Sequence, residues 1–332
     1  MSKLTFPVLR MLADGHFHSG QVLALHFKVS RASIWNAIKH AQTLGVIIFS
    51  VRGRGYKLYQ AIDFINKNNV LNAAGNQFEN FDLIILDETA STNTYLMQQK
   101  NVAHATCVAA HIQTNGRGRR GRTWVSQLGA SLTFSLLWRF EFGAAALSGL
   151  SLAVGVAIIR VLKEIGIENA QLKWPNDVLV LNDEKVASKL AGILIELQGD
   201  SLGPSVVVIG IGININLSTK MYDNIDQPAT DLTHILGLDS KHAINQSELL
   251  GVLLKHLAVV LNDFEHHGFV QLRDEWTKYH AYHHKNVRLM LPNGSEISGE
   301  IDGVADDGVL LIKTAAGLQR FNAGEISLRG MQ

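Results

Sequence analysis

A single cysteine, Cys107, in 332 residues excludes an intramolecular disulfide framework and suits a reducing compartment. A secretory signal is missing too, since Met1–Asp14 has neither an apolar h-region nor a small-residue cleavage site. The longest apolar run, 149–159, is too short to span a bilayer and ends at Arg160. These absences lead us to expect a cytoplasmic protein with no membrane partner. Net charge is nearly absent as well, at +1, but it is unevenly spread. Residues 1–60 hold eight Lys/Arg and one acid, Asp14, leaving 22 bases and 28 acids for the rest. A basic N-terminal module on a mildly acidic body points to nucleic acid as one partner. What is plentiful is apolar surface, 47% of residues, enough for a large core in two or three domains.

Residues 1–62 predict a winged helix-turn-helix. "FPVLRMLADG" is apolar at Phe6, Leu9 and Leu12, a helical spacing, and stops at Gly15. "SGQVLALHF" offers Ser19 as a cap, with Val22, Leu23 and Leu25 expected in the core. "VSRASIWNAIKHAQTLG" has Ser30 as a cap, then Ile34, Ala37, Ile38 and Ala41 facing inward, and ends at Gly45. The tight "FKVS" link between these two helices is the helix-turn-helix feature, and "VIIFSVRGRGYKLY" turns at Gly53–Gly55 as a basic wing. Ser30, Arg31, Ser33, Trp35, Asn36 and Lys39 on the third helix, with Arg52 and Arg54 on the wing, suit phosphates and base edges. A small helical domain that binds protein, with lysines as solvation, is the alternative.

Residues 63–80 read as a polar, Asn-rich linker with a short helix. Over 81–280 the pattern is mixed α/β, with strands expected at 82–86, 106–111, 131–137, 171–174, 177–181, 190–197 and 205–213. Residues 144–166 are apolar nearly all round and predict a buried helix. Residues 247–268 predict a second, amphipathic helix ended by Gly268. The tail, 281–332, alternates between turn signals at Asn293-Gly294, Asp307-Gly308 and Ala323-Gly324, which predicts a small β-barrel. The fold class is therefore α+β and multidomain.

"NGRGRRGRTW" contains a G-x-G-x-x-G at Gly116, Gly118 and Gly121. A dinucleotide loop needs a helix opening at its last glycine. Here "LTFSLLW" follows, alternating like a strand at Leu132, Phe134 and Leu136. The four arginines at 117, 119, 120 and 122 suggest an anion-holding loop instead, mobile when empty and ordered by a carboxylate or phosphate. Three further stretches stand out. "KWPNDVLV" places Lys173, Asn176 and Asp177 around Pro175, where one strand turns into the next. "KLAGILIE" has Lys189 entering a strand and Gly192 three residues later. "GIGININ" sets Gly210 and Gly212 on one strand face, with Asn214 at its end, where a ligand can approach the backbone.

In this order, with "FHSG", "SRASI", "GRGY", "STNTYL", "GLSLAVGVAI" and "GEISLR", these motifs resemble the biotin protein ligase family, and the helix-turn-helix extends the match to its bifunctional ligase/repressor members. The resemblance covers almost the whole chain. It implies a winged helix, a class II synthetase-like ligase domain and an SH3-like barrel. It also implies a reaction: the carboxylate of biotin attacks the α-phosphate of Mg-ATP, and a carrier-protein lysine then takes biotin from biotinyl-5′-AMP.

By resemblance, Lys189 and Arg117 are the catalytic cations. Ser91, Thr92, Asn93, Gln113, Arg117, Gly118, Arg119 and Lys189 are expected around biotin. Arg119, Arg122, Trp124, Lys173, Asn176, Gly192, Gly210 and Asn214 are expected around ATP or the adenylate, and Asp177 is expected to hold Mg²⁺ or to orient Lys173. Plain alternatives stand beside these: Ser91 as a helix cap, Trp124 as core, Arg120 as solvated charge. Expected partners are biotin carboxyl carrier protein, operator DNA and a second copy of the chain when the adenylate is bound. One departure is visible, because the loop after Asn214 has Ala229 near the place where some members carry an adenine-stacking tryptophan.

Two rivals remain at this stage, a biotin-sensing regulator without ligase activity and a lipoate-type ligase. Lipoate lacks a ureido group, so Gln113 and Ser91–Asn93 argue against the second. His280, His283 and His284 have helical spacing for a metal, yet no cysteine or acid completes a set.

Overall fold

The computed structural model describes residues 3–60, 62–75, 81–182, 186–198, 203–237, 244–291 and 295–322, with the backbone of 327–330. The turn signals at Asn293-Gly294 and Ala323-Gly324 lie outside the described residues. Three helices open the chain, α1 (Thr5–Leu12), α2 (Gly20–His26) and α3 (Arg31–Thr43). Ser19 and Ser30 cap α2 and α3 by accepting from the N–H groups of Val22 and Ser33. Phe6, Leu9, Leu12, Leu23, Ile34 and Ile38 form their core. Val22 and Leu25, expected inside, are 48% and 67% exposed. A helix of two turns offers α3 only a narrow stripe, and Leu23 and Ala24 occupy it. Strands β1 (Ile48–Val51) and β2 (Gly55–Leu58) pair as the antiparallel wing.

The central domain runs α4 (Lys67–Ala74), β3 (Asp82–Thr89), α5 (Thr92–Gln98), β4 (Thr106–Gln113), β5 (Gly116–Arg117), β6 (Thr123–Trp124) and β7 (Ser131–Phe140). It continues with α6 (Leu150–Glu164), β8 (Ala170–Lys173), β9 (Asp177–Leu181), β10 (Ala187–Gln198), β11 (Ser205–Asn214), α7 (Thr219–Asp223), α8 (Leu232–Ile235), α9 (Gln246–His267) and α10 (Val270–Lys278). Seven strands form one sheet in the order β3-β4-β7-β11-β10-β9-β8, antiparallel except for β3 with β4. Period-two alternation assigns its two faces. Leu132, Phe134 and Leu136 of β7, with Val207, Ile209 and Ile211 of β11, belong to the main core with α6 and α9. Leu137 and Val208, on the opposite face, pack with Leu96 of α5.

The expected helix over 144–166 is broken. A 3₁₀ turn spans Ala144–Leu147, and α6 begins only after Gly149, at φ 84°. Ala144–Glu164 has the length and mean hydropathy of a membrane-crossing segment, more than the 149–159 run suggests. Its residues 152–159 are all buried in the core of this fold.

The C-terminal unit is a five-stranded antiparallel sheet. It is built from β12 (Asn286–Met290), β13 (Glu296–Val304), β14 (Leu310–Thr314), β15 (Gly317–Phe321) and β16 (Ser327–Gly330), in the order β15-β14-β13-β12-β16. Its Asp307-Gly308 turn docks on the central domain. Trp174 Nε1 donates to the Gly308 carbonyl at 3.1 Å, and Ser148 Oγ donates to that of Asp307 at 2.5 Å.

Each domain junction holds a buried histidine. At the N-terminal one, Ile112 and Leu128 of the central domain join the winged-helix core. His111 stacks on Phe6 at 6.3 Å and meets Phe64 edge-on at 5.1 Å, beside an ion pair of Arg10 with Asp87. At the C-terminal one, His280 packs on Trp276 at 4.5 Å, and neither ring nitrogen has a hydrogen-bond partner among the described residues. Burial pushes His111 down to about 4, with Arg10 acting the same way and Asp87 opposing. Burial pushes His280 down to about 3, reinforced by His283 and Lys285.

The unfolded chain therefore takes up these protons first as pH falls. Their neutral forms support the fold fully above the free histidine value of 6.5 and progressively less from there down to about 4. Each contributes roughly 1.4 kcal/mol per pH unit within that window. The expected outcome is a melting temperature that is flat above pH 7 and falls from pH 6.5 to 5, before most carboxylates titrate. A calorimetric pH series on wild type and His111→Phe checks it, and an equal slope in both removes His111 as a cause.

Candidate active site

Strands β10 and β11 build the floor of a cavity of about 410 Å³. Gly192 and Gly212 are direct cross-strand partners, and Leu194 faces Gly210. In a regular strand, Lys189 and Gly192 point to opposite faces because they are three apart. The register slips between Lys189 and Ala191, a β-bulge that returns Lys189 to the cavity face. Its Cε and Nζ lie 3.2 Å from where a Cβ on Gly192 would stand. The segment after β11 folds back on the same residue, with Lys189 N–H donating to the Pro228 carbonyl at 2.8 Å and Thr230 N–H donating to that of Lys189 at 3.0 Å.

The bare glycine face seats side chains of the protein itself. A Cβ on Gly212 would overlap the Trp124 indole, and one on Gly210 would overlap the Asn93 carboxamide, both closer than the 3.0 Å limit of real Cβ contacts. Trp124 is therefore held against the floor, and its buried Nε1 has no hydrogen-bond partner among the described residues. It lines the cavity rather than the main core.

The polar wall is a connected network. Ser91 caps α5 through Thr94 N–H at 3.4 Å. Gln113 Oε1 accepts from the Thr92 N–H at 2.7 Å and from the Thr92 hydroxyl at 3.1 Å. Ser135 Oγ lies 2.6 Å from Thr92 Oγ1 and 2.5 Å from Asn93 Oδ1. Ser91, Thr92, Asn93 and Ser135 are at most 4% exposed. A buried network with this many satisfied groups is rigid, and its remaining donors and acceptors have fixed directions.

Charge enters at two places. Lys189 Nζ lies 2.6 Å from Asp177 Oδ1, with the side chains 16% and 14% exposed. Arg117 Nη2 donates to both oxygens of Glu196, at 2.9 and 2.7 Å. Arg119 Nη1 donates to Asn176 Oδ1 at 3.2 Å, and burial lowers its pKa while Asp177 opposes that shift. Asn176 Nδ2 in turn donates to the Ile193 carbonyl at 2.8 Å, and Asn214 Nδ2 donates to the carbonyls of Thr230 and Lys189 at 3.0 and 3.3 Å. Lys173, Gly118, Arg120 and Arg122 also line the cavity.

The arginine-glycine segment is the β5–β6 hairpin around a single 3₁₀ turn, with no helix after it, so a dinucleotide loop is ruled out. Glu196 and Ser135 were not singled out in the sequence. Both were reachable by counting in twos, since Glu196 shares a strand face with Gly192 and Ser135 sits opposite Gly210. Among the described residues no group of three or more His, Cys, Asp or Glu stands ready for a metal ion.

On the winged helix, Arg31, Trp35, Asn36, Lys39, Arg52 and Arg54 are exposed. Lys39 Nζ sits 5.7 Å from the Trp35 ring centroid. Ser33 is half-buried beside the capping Ser30, and their hydroxyls are 3.0 Å apart.

Known proteins resemble this chain along its length. Residues 85–214 match the biotin/lipoate A/B protein ligase family, 6–57 an HTH domain and 283–329 the biotin protein ligase C-terminal domain. The chain is 34% identical to the bifunctional ligase/repressor BirA of Escherichia coli strain K12, over 100% of both chains. It is 28% identical to that of Bacillus subtilis strain 168, over 95% of both. The solved structure of the Aquifex aeolicus biotin protein ligase in complex with biotin and ATP is similar at TM-score 0.63 and 32% identity, covering 75% of this chain and 99% of that one.

Proposed function

The chain belongs to the biotin protein ligase family, in its branch of bifunctional ligase/repressors, and on that premise we propose how its cavity and winged helix divide the work. The protein is an ATP-dependent biotin ligase and a DNA-binding repressor. The acceptor is a lysine of the biotin carboxyl carrier protein of acetyl-CoA carboxylase.

The buried network of Thr92, Asn93, Gln113 and Ser135 offers fixed donors and acceptors to the ureido group, with Ser91 holding the start of α5 in place. Biotin's valeryl chain then leads its carboxylate towards Lys189 and Arg117. Trp124 walls the slot, and Arg119, Arg122, Lys173 and Asn176 face the phosphates. In the first step a carboxylate oxygen bonds to the α-phosphorus as the bond to pyrophosphate breaks. In the second, the lysine amine attacks the acyl carbon, AMP leaves and the amine proton passes to solvent.

Two anions must meet in the first step, and fixed cations lower that barrier without reorganising. Lys189 brings its charge from the bulge in β10, where Asp177 holds the ammonium at 2.6 Å. Mg²⁺ would be held chiefly by the substrate phosphates, with Asp177, paired with Lys189 at 2.6 Å, as the carboxylate that would join them. When bound, Mg²⁺ would add further neutralisation of the triphosphate.

The same adenylate is the corepressor in this reading. It favours a two-fold dimer whose recognition helices and wings present Arg31, Ser33, Asn36, Lys39, Arg52 and Arg54 to a palindromic operator, with Ser30 holding the start of α3. With Ala229 near the place where some members carry a tryptophan, the coupling between adenylate binding and dimerisation is expected to differ in strength.

The observation that carries the ligase assignment is the gathering of Lys189, Arg117 and Arg119 around one cavity walled by the buried Thr92–Gln113 network. Incubated with Mg-ATP, biotin and a purified carrier domain, the protein is expected to add one biotin to a single carrier lysine, read by intact mass. Biotin and ATP binding without transfer would instead favour the non-enzymatic regulator. Competition by lipoate as strong as by biotin would favour the lipoate-type ligase.

A further inference from the structure

Among the described residues, Glu196 is the carboxylate that joins the arginine hairpin to the Asn93 wall. Arg117 reaches it with Nη2 alone, while Nε and Nη1 make no hydrogen bond among the described residues. A planar guanidinium held by one nitrogen keeps three N–H donors for another anion. The same carboxylate accepts from Asn93 Nδ2 at 2.8 Å, and the Leu194 carbonyl accepts from that nitrogen at 3.2 Å. Both hydrogens of Nδ2 thus face acceptors, which fixes the amide orientation. Asn93 Oδ1, touched by Ser135 Oγ at 2.5 Å, keeps a second lone pair for an incoming N–H. Gly210 leaves the space in which this carboxamide sits.

We propose that Glu196 is a positioning residue of the ligase site. It anchors Arg117 by one nitrogen so that the rest of the guanidinium meets the reacting anions, and it orients Asn93 so that its oxygen accepts from biotin's ureido N–H. The inference rests on the ligase reading above. A glutamine at 196 has the same size but turns one acceptor into a donor. It cannot serve Arg117 with two oxygens and Asn93 with a third contact.

The test is a double-mutant cycle of Glu196→Gln with Arg117→Ala on the full chain, read by biotin-dependent exchange of pyrophosphate into ATP, with thermal unfolding alongside. Glu196→Gln is expected to lower kcat and raise the KM for biotin, each roughly ten-fold, with an unchanged melting temperature. In the Arg117→Ala background it should leave kcat unchanged and still raise KM, because only the Asn93 contact remains to be lost. Glu196→Asp, which keeps the charge but is one methylene shorter, should fall between and replaces the glutamine variant if that one fails to fold. Wild-type kinetics in Glu196→Gln, or fully additive losses of kcat in the cycle, overturn the proposal while leaving the ligase reading intact. A wild type that shows no exchange at all overturns both.

Discussion

Lys189→Ala is expected to slow biotin-dependent exchange of pyrophosphate into ATP by roughly a thousand-fold. A unit charge about 4 Å from an opposite charge is worth about 4 kcal/mol at an effective dielectric near 20, and each 1.4 kcal/mol is a factor of ten in rate. A neutral hydrogen bond nets only about 1 kcal/mol, so no single contact to the biotin ring should matter as much. The structure adds a second reason. Asp177, 2.6 Å from Lys189 and only 14% exposed, stays behind in the variant as an uncompensated negative charge beside two incoming anions. Single-turnover formation of biotinyl-adenylate is the direct measurement. A loss of less than ten-fold in Lys189→Ala would remove charge neutralisation at this residue as the main source of rate.

Gly210→Ala should damage binding rather than chemistry. The new methyl would overlap the Asn93 carboxamide, which is held on three sides by Ser135, Leu194 and Glu196 and has no room to retreat. Overpacking of this kind costs about 1–3 kcal/mol, so the KM for biotin should rise roughly ten- to hundred-fold. At saturating biotin kcat should change much less, because the ring contacts are made equally before and during the reaction. Titration calorimetry with biotin alone checks the affinity, and a fall in kcat with an unchanged KM would contradict this account. Gly212→Ala is the companion, since its methyl would displace Trp124 instead.

The element order and most boundaries were legible because they follow from period and punctuation. Ser19 and Ser30 cap the helices they were expected to cap, and the strands over 106–111 and 205–213 lie inside β4 and β11. What was not legible depended on neighbours. Val22 and Leu25 look like core in sequence, but α2 is too short to bury both. The face on which Lys189 sits is set by a bulge against β9, which no strand of its own can announce. Gly210 and Gly212 read as seats for a ligand, whereas Asn93 and Trp124 are their first occupants. Glu196 closed a quoted motif, "KLAGILIE", yet its role required knowing that β10 carries it alongside Arg117 and Asn93.

The shared packing at the N-terminal junction limits how freely this chain can be divided. Ile112 and Leu128 are buried in one cluster with residues of α1–α3, and Phe64 and the His111 ring lie against Arg10 and Phe6. Severing the winged helix would bare an oily scar at the end of the very strand that carries Gln113. Such a remnant would invite self-association. The two halves are thus neighbours with a common wall, and removing one weakens a room in the other.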